Sequence, residues 1–210
     1  MSEEDGRKSK SKANCAMNDA AINAEFVHRW ATTYQVAYDT NYYDPYIGKG
    51  RKGDPVALRK LTEWKNPSTT GRPMKLSDNK KKPFQKFLTL VKDSWPLSSS
   101  SLRQAFPANS PVYAIFWHHV LFQTPIFDVH TNRAFNWFTK GQYLEGRNAS
   151  IPRGGHWELY DTYQQWFKKM LATVQQEDAS ITSRELDRAL FRWGMVNNNK
   201  LVAPELPSEN

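Results

Sequence analysis

Residues 110–122 run Ser110-Pro111-Val112-Tyr113-Ala114-Ile115-Phe116-Trp117-His118-His119-Val120-Leu121-Phe122. Ser110 offers a cap, and Pro111 suits a first helical turn, where its missing N–H would be unpaired anyway. From Val112 to Phe122 the chain is apolar or aromatic except at His118 and His119. A helix that is apolar on every side has to lie inside a shell of other elements. The neighbouring segments supply that shell. Upstream, Ser98–Ser101 can cap a short helix through Phe106. Before it, Lys80-Lys81-Lys82-Pro83 leads into a helix in which Phe84, Phe87, Leu88 and Val91 share a face and which Trp95-Pro96 ends. Asp54-Pro55 predicts a helix from Pro55 to Trp64. Ile22, Phe26, Val27, Trp30 and Tyr34 form one face of a first helix, expected from Asn18 or Asp19 towards Tyr38. A loop is expected after it, through Tyr42, Tyr43, Tyr46, Gly48, Gly50 and Gly53.

Downstream, Asp128 is placed to cap a helix through about Thr139, and Trp157, Tyr160, Tyr163, Phe167, Met170, Leu171 and Val174 mark another. Thr182-x-x-Glu185 is a capping box before Leu186, Ala189, Leu190 and Trp193, with Gly194 expected as the C-cap. No sustained alternation typical of strands occurs. The expectation is an all-α, compact domain of about eight helices over residues 18–200, with polar flexible tails at 1–17 and 201–210.

The 210 residues include 8 Trp, 9 Tyr and 11 Phe, enough aromatic bulk to fill a core. No run is long and apolar enough for a membrane span, and the first residues do not resemble a signal peptide. The single cysteine, Cys15, excludes an intrachain disulfide and a cysteine-ligated metal cluster. These features predict a soluble cytoplasmic protein, nucleoid-associated if prokaryotic. Net charge is +8, yet the stretch Lys49–Lys92 alone holds thirteen basic and three acidic residues, a balance of +10. Such concentration is the footprint of a polyanion binder, with a solvated lysine-rich surface as the plain alternative.

The chemistry concentrates in Pro125-Ile126-Phe127-Asp128-Val129-His130-Thr131-Asn132-Arg133-Ala134. Asp128 follows an apolar run and precedes a helix, so free N–H groups and the helix dipole favour its ionised form. A carboxylate fixed there is either a simple cap or a negative charge facing a cationic intermediate. The pattern Asp128-x-His130-x-x-Arg133 resembles the catalytic aspartate motif of the helix-hairpin-helix DNA base-excision glycosylases, the superfamily of endonuclease III and 8-oxoguanine glycosylase. The hairpin would be Pro107-Ala108-Asn109-Ser110-Pro111, between a helix at Leu102–Phe106 and the one at Val112–Phe122. Ala108 and Ser110 stand where the family has glycines, and Val112 stands where bifunctional members carry a lysine nucleophile. Leu61–Asn66 and Glu185–Gly194 resemble a less well described branch of glycosylase-like proteins.

The resemblance implies a monofunctional enzyme on double-stranded DNA that flips out a damaged or modified base and hydrolyses its N-glycosidic bond, with no cofactor and no metal. Asp128 would stabilise the oxocarbenium-like state and activate water. Tyr42, Tyr43, Tyr46, Trp64 and Trp117 are the candidates for receiving the everted base, in a cleft beside Asp128. Lys65, Lys80, Lys81, Lys82, Arg133 and the hairpin residues Ala108, Asn109 and Ser110 are the candidates for DNA contact. His118 and His119, adjacent on a helix, point about 100° apart and cannot chelate one ion together. Uracil or thymine mismatches, oxidised purines, alkylated bases and hypermodified phage bases all remain open as targets; the last would mean defence instead of repair. A non-catalytic nucleic-acid binder on the same scaffold is the alternative, and a helical protein meeting an acidic protein partner is a third reading.

Overall fold

The structure is a computed structural model and describes residues 22–66 and 72–197. The expected tails and the expected start of the first helix lie outside those residues. Among the described residues there are ten α-helices and no β-strand. They are α1 (Ala24–Thr32), α2 (Val36–Tyr42), α3 (Asp44–Gly50), α4 (Pro55–Trp64), α5 (Asp78–Ser94), α6 (Ser99–Ala105), α7 (Pro111–Phe122), α8 (Val129–Lys140), α9 (His156–Glu177) and α10 (Ser183–Val196). The chain thus forms the all-α fold that its periodicity predicts.

α7 is the central helix. Every residue from Ala114 to Val120 is buried, and α3, α4, α6 and α9 pack around it. Trp117 stacks on Phe87 of α5 with ring centroids 4.4 Å apart and meets Phe84 and Phe106 as well. Full burial of one such aromatic stabilises by about 3 kcal/mol, so this layer is a large part of the core. A second layer joins α1, α8 and α10, where Phe138 meets Phe26 edge-on and also packs on Trp193.

The caps predicted at Asp54, Ser98, Asp128 and Thr182 form, whereas the Ser110 side chain makes no capping hydrogen bond. Asp54 Oδ1 accepts from the Ala57 N–H at 2.7 Å, and Thr182 and Glu185 make a reciprocal capping box. Four expectations need correction. The first helix is broken after Thr32, where Thr32 and Thr33 turn their hydroxyls back to the Arg29 and Trp30 carbonyls and compete with the helix ladder. Tyr42–Tyr46 is helical instead of a loop: Tyr42 ends α2, Tyr43 caps α3, and Pro45 sits in the first turn of α3. These breaks raise the count from about eight to ten. α5 begins at Asp78, so Lys80, Lys81 and Lys82 are helical and Pro83 lies inside the helix. Finally, Gly194 is no C-cap; it lies within α10, at the crossing with α8.

Candidate active site

The segment from α7 to α8 holds little regular structure, yet it is anchored from three helices. α7 ends with Gln123 in the left-handed region at φ 57°. The Thr124 carbonyl accepts from His119 Nδ1 of α7, and Thr124 Oγ1 lies 3.0 Å from His118 Nδ1. The Tyr160 hydroxyl of α9 is 2.7 Å from Thr124 Oγ1 and 2.8 Å from the Pro125 carbonyl oxygen. From α10, Asp187 accepts the Ile126 N–H at 3.2 and 3.1 Å on its two oxygens. His119 therefore holds the Thr124 backbone and His118 its hydroxyl, and no metal-binding group of three or more such side chains occurs among the described residues. His119 donates from Nδ1, so Nε2 accepts the Tyr43 hydroxyl, 2.6 Å away. Burial pushes His118 down to about 4 and His119 to about 3, so both stay neutral.

Asp128 ends this segment in extended conformation. Its Oδ1 accepts from the His130 and Thr131 N–H groups at 2.9 and 3.2 Å, and Thr131 Oγ1 accepts from the Asp128 N–H at 2.8 Å. Its other oxygen, Oδ2, accepts from Lys65 Nζ at 2.5 Å. Burial works against the charged carboxylate, but Lys65, His130 and the first-turn hydrogen bonds hold it below its ordinary value. Lys65 is the residue just past α4, so a helix end delivers its amine to the start of α8.

Around this pair lies a buried ionic network. Asp39 of α2 is fully buried; its Oδ2 accepts from Arg184 Nη2 at 2.6 Å and from Arg188 Nε and Nη2 at 3.1 and 3.0 Å. Tyr34 donates to Asp39 Oδ1 at 3.0 Å. Arg184 Nη1 is 3.8 Å from Asp187 Oδ2. Burial pushes Asp187 up to about 7, with Arg184 opposing. One carboxyl is thus held ionised and its neighbour is poised near neutrality, the separation that acid–base sites use.

The aromatic candidates divide. Tyr43 and Trp64 pack together at 4.8 Å, and Trp64 stacks on Phe116 at 5.6 Å. The Arg184 guanidinium lies 4.6 Å from the Tyr43 ring and 5.8 Å from Trp64. Lys65 Nζ is 6.0 Å from Phe116. Tyr42 is half-buried and contacts Tyr38, whose hydroxyl donates to the Trp64 carbonyl. Tyr46 packs half-buried against the core. Trp117 faces the α5 layer and donates to Thr62, so it is a core residue.

The expected cleft is closed over Asp128: its side chain is 7% exposed and that of Lys65 is 9% exposed. Of the DNA-contact candidates, Arg133 is buried, donating to the Leu144 carbonyl and lying 3.2 Å from His130 Nδ1, where a phosphate would not reach it. Lys65 faces Asp128 instead of solvent. Lys81 and Lys82 are exposed, with Lys81 paired to Asp78. Lys80 donates to Asn66 Oδ1 at 2.6 Å and lies 5.6 Å from the Tyr113 ring, on the Lys65 side of the molecule. The Ala108-Asn109-Ser110 turn joins α6 to α7, and Ser110 takes φ 52°, the left-handed conformation that glycine adopts most readily. Lys86 of α5 donates to the Ala105 carbonyl beside this turn. A shallow groove of about 570 Å³ between α5 and Ala105, walled by Lys82, Lys86 and Asp93, includes no residue of the aspartate motif.

Asp39, Arg184, Asp187 and Arg188 were not among the expected site residues. Asp187 could have been found as the lone carboxylate on the stripe of α10 that holds Leu190 and Gly194. Compared with known proteins, the chain matches no family model, no curated protein and no solved structure.

Proposed function

We propose that the chain is a monofunctional DNA glycosylase that everts a damaged or modified base and hydrolyses its N-glycosidic bond at Asp128. The observation that carries this reading is the Asp128 carboxylate itself, fixed by the first turn of α8 and kept ionised. Loss of the base leaves positive charge on the sugar, and a preorganised anion stabilises it and orients the attacking water. Asp128 Oδ1 is committed to the helix, so Oδ2 does this work once Lys65 leaves it. The released ammonium then meets the backbone phosphate of the incoming strand. Beside the pair, Trp64 Nε1 is buried with no hydrogen-bond partner, a donor left over for a base edge. Lys80 and the Ser110 turn support DNA binding on the same side. Val112, half-buried in the first turn of α7, supplies no amine, which supports hydrolysis without strand cleavage.

The mutual neutralisation of Lys65 and Asp128 favours one other reading, a non-catalytic nucleic-acid binder in which the pair only ties α4 to α8. A panel of duplexes with mismatched, oxidised, alkylated and hypermodified bases separates the two, with mass spectrometry of released bases as the readout. The expected result is release of a free base and an alkali-labile abasic site, lost in Asp128→Asn. Release undiminished in folded Asp128→Asn removes Asp128 from the mechanism. No release from any duplex, with DNA binding intact, leaves the binder. A borohydride-trapped protein–DNA adduct would replace the hydrolytic route by an amine one.

A further inference from the structure

We propose that Trp95 and the basic turn Lys49–Gly53 form a second DNA-contact surface, one that takes an unpaired stretch of strand. The proposal rests on the reading of the chain as a DNA-binding protein but needs no catalysis. α3 ends at Gly50, and the chain closes tightly through Lys52 N–H to the Lys49 carbonyl and Gly53 N–H to the Gly50 carbonyl, at 3.0 and 2.9 Å. Gly53 has φ 79°, and a Cβ there would stand 2.8 Å from the Trp95 ring. Glycine is thus what lets the turn lie against the indole. Trp95 is still 44% exposed, and Val56 beside the turn is 66% exposed.

Lys49, Arg51 and Lys52 are exposed, and none pairs with an acidic side chain among the described residues. Asp54, which follows the turn, is occupied in capping α4. The local balance is positive. The Arg51 charge is felt at Tyr43 and His119. Placing cations at the end of α3 is favourable in itself, but this does not account for an open indole beside them. Phosphates on the cations with an unstacked base on the ring account for both. An acidic peptide would use the charges and leave the ring idle.

The test is binding of a fluorescein-labelled oligothymidylate to the full chain across a salt series, with thermal melts to confirm folding. Trp95→Ala is expected to weaken binding about ten-fold, and Trp95→Phe to keep most of it. Replacing Lys49, Arg51 and Lys52 by alanine together is expected to lower the salt slope by about 2. A folded Trp95→Ala protein that binds like the parent overturns the proposal, as does an unchanged slope in the triple variant. Polyglutamate competing equally against the parent and Trp95→Ala would also overturn it, in favour of a protein partner. Absence of base release with these binding effects intact would sink the hydrolytic reading alone.

Discussion

A Cβ on Gly194 would lie 2.0 Å from the His130 carbonyl oxygen, so α10 crosses α8 backbone against backbone two residues from Asp128. A carbonyl in the first turn of a helix cannot swing aside as a side-chain tip can. Gly194→Ala is therefore expected to force α10 away and to destabilise by about 3 kcal/mol, at the upper end of overpacking costs. Urea unfolding measures this. An unchanged midpoint would mean that the crossing has slack.

Lys65 and Asp128 form a pair whose partners are both less than a tenth exposed. Removing one of them strands the other's charge in the interior, at a cost of about 3–5 kcal/mol, whereas removing both avoids that penalty. Lys65→Met and Asp128→Asn are each expected to destabilise, and the double variant to recover part of the loss; Asn keeps an oxygen for the α8 cap. A double-mutant cycle by denaturation supplies the coupling energy. Strictly additive losses would show that the two charges do not depend on one another.

The Asp187 carboxyl titrates near 7 in the folded chain but at about 3.9 when unfolded. Between those values the folded state holds a proton that the unfolded state has released. This contribution to stability therefore declines as pH rises from about 4 to about 7. Asp187→Asn keeps an oxygen for the Ile126 N–H without the buried charge. It is expected to gain melting temperature relative to the parent at pH 8 and to gain none at pH 4. Equal shifts at both pH values would place the Asp187 titration in the ordinary carboxylate range.

His118 and His119 act with the opposite sign. Their folded values, about 4 and about 3, lie below the ordinary 6.5, so the unfolded chain takes up protons first on acidification. Stability that is full above pH 6.5 should drain away towards pH 4. His119→Gln should flatten that acid limb in a pH-resolved melt, and a limb as steep as the parent's would contradict the assignment.

Ser110 and Gln123 bracket α7 in left-handed conformations, at φ 52° and 57°. A side chain there costs about 1 kcal/mol or more against glycine. Ser110→Gly and Gln123→Gly are each expected to stabilise by about that amount in urea titrations. A loss in either case would mean that the side chain holds contacts outweighing the strain.

The helices were legible because their signals are local. Asp54-Pro55, Asp128 and Thr182-x-x-Glu185 each fix a helix start within a few residues, and the helices begin where those signals say. The misplaced boundaries have local causes as well, but weaker ones: two threonine hydroxyls bonding to their own helix, and one proline allowed in a first turn at Pro45. Gly194 was misread because its reason is a backbone carbonyl 64 residues away in the sequence, at His130. The site was half legible. The capping role of Asp128 was legible from its place before α8, whereas Lys65, the partner on its other oxygen, comes from the end of α4, 63 residues away, and their meeting is a product of tertiary packing. Trp117 carries the same lesson in reverse, since an aromatic near a motif belongs to whichever layer its helix turns it towards.

The threefold grip on Thr124, Pro125 and Ile126 assigns the parts of any opening at the site. A segment fastened to α7, α9 and α10 at once cannot carry its carboxylate out to meet a ligand without unmaking the bundle. The lysine follows α4 and carries a four-carbon stem, so a change in its side chain alone would uncover Asp128 Oδ2 without moving a helix. Any exposure of the aspartate would therefore fall to the Lys65 side chain, which is itself less than a tenth exposed and would first have to give up its hydrogen bond to Asp128.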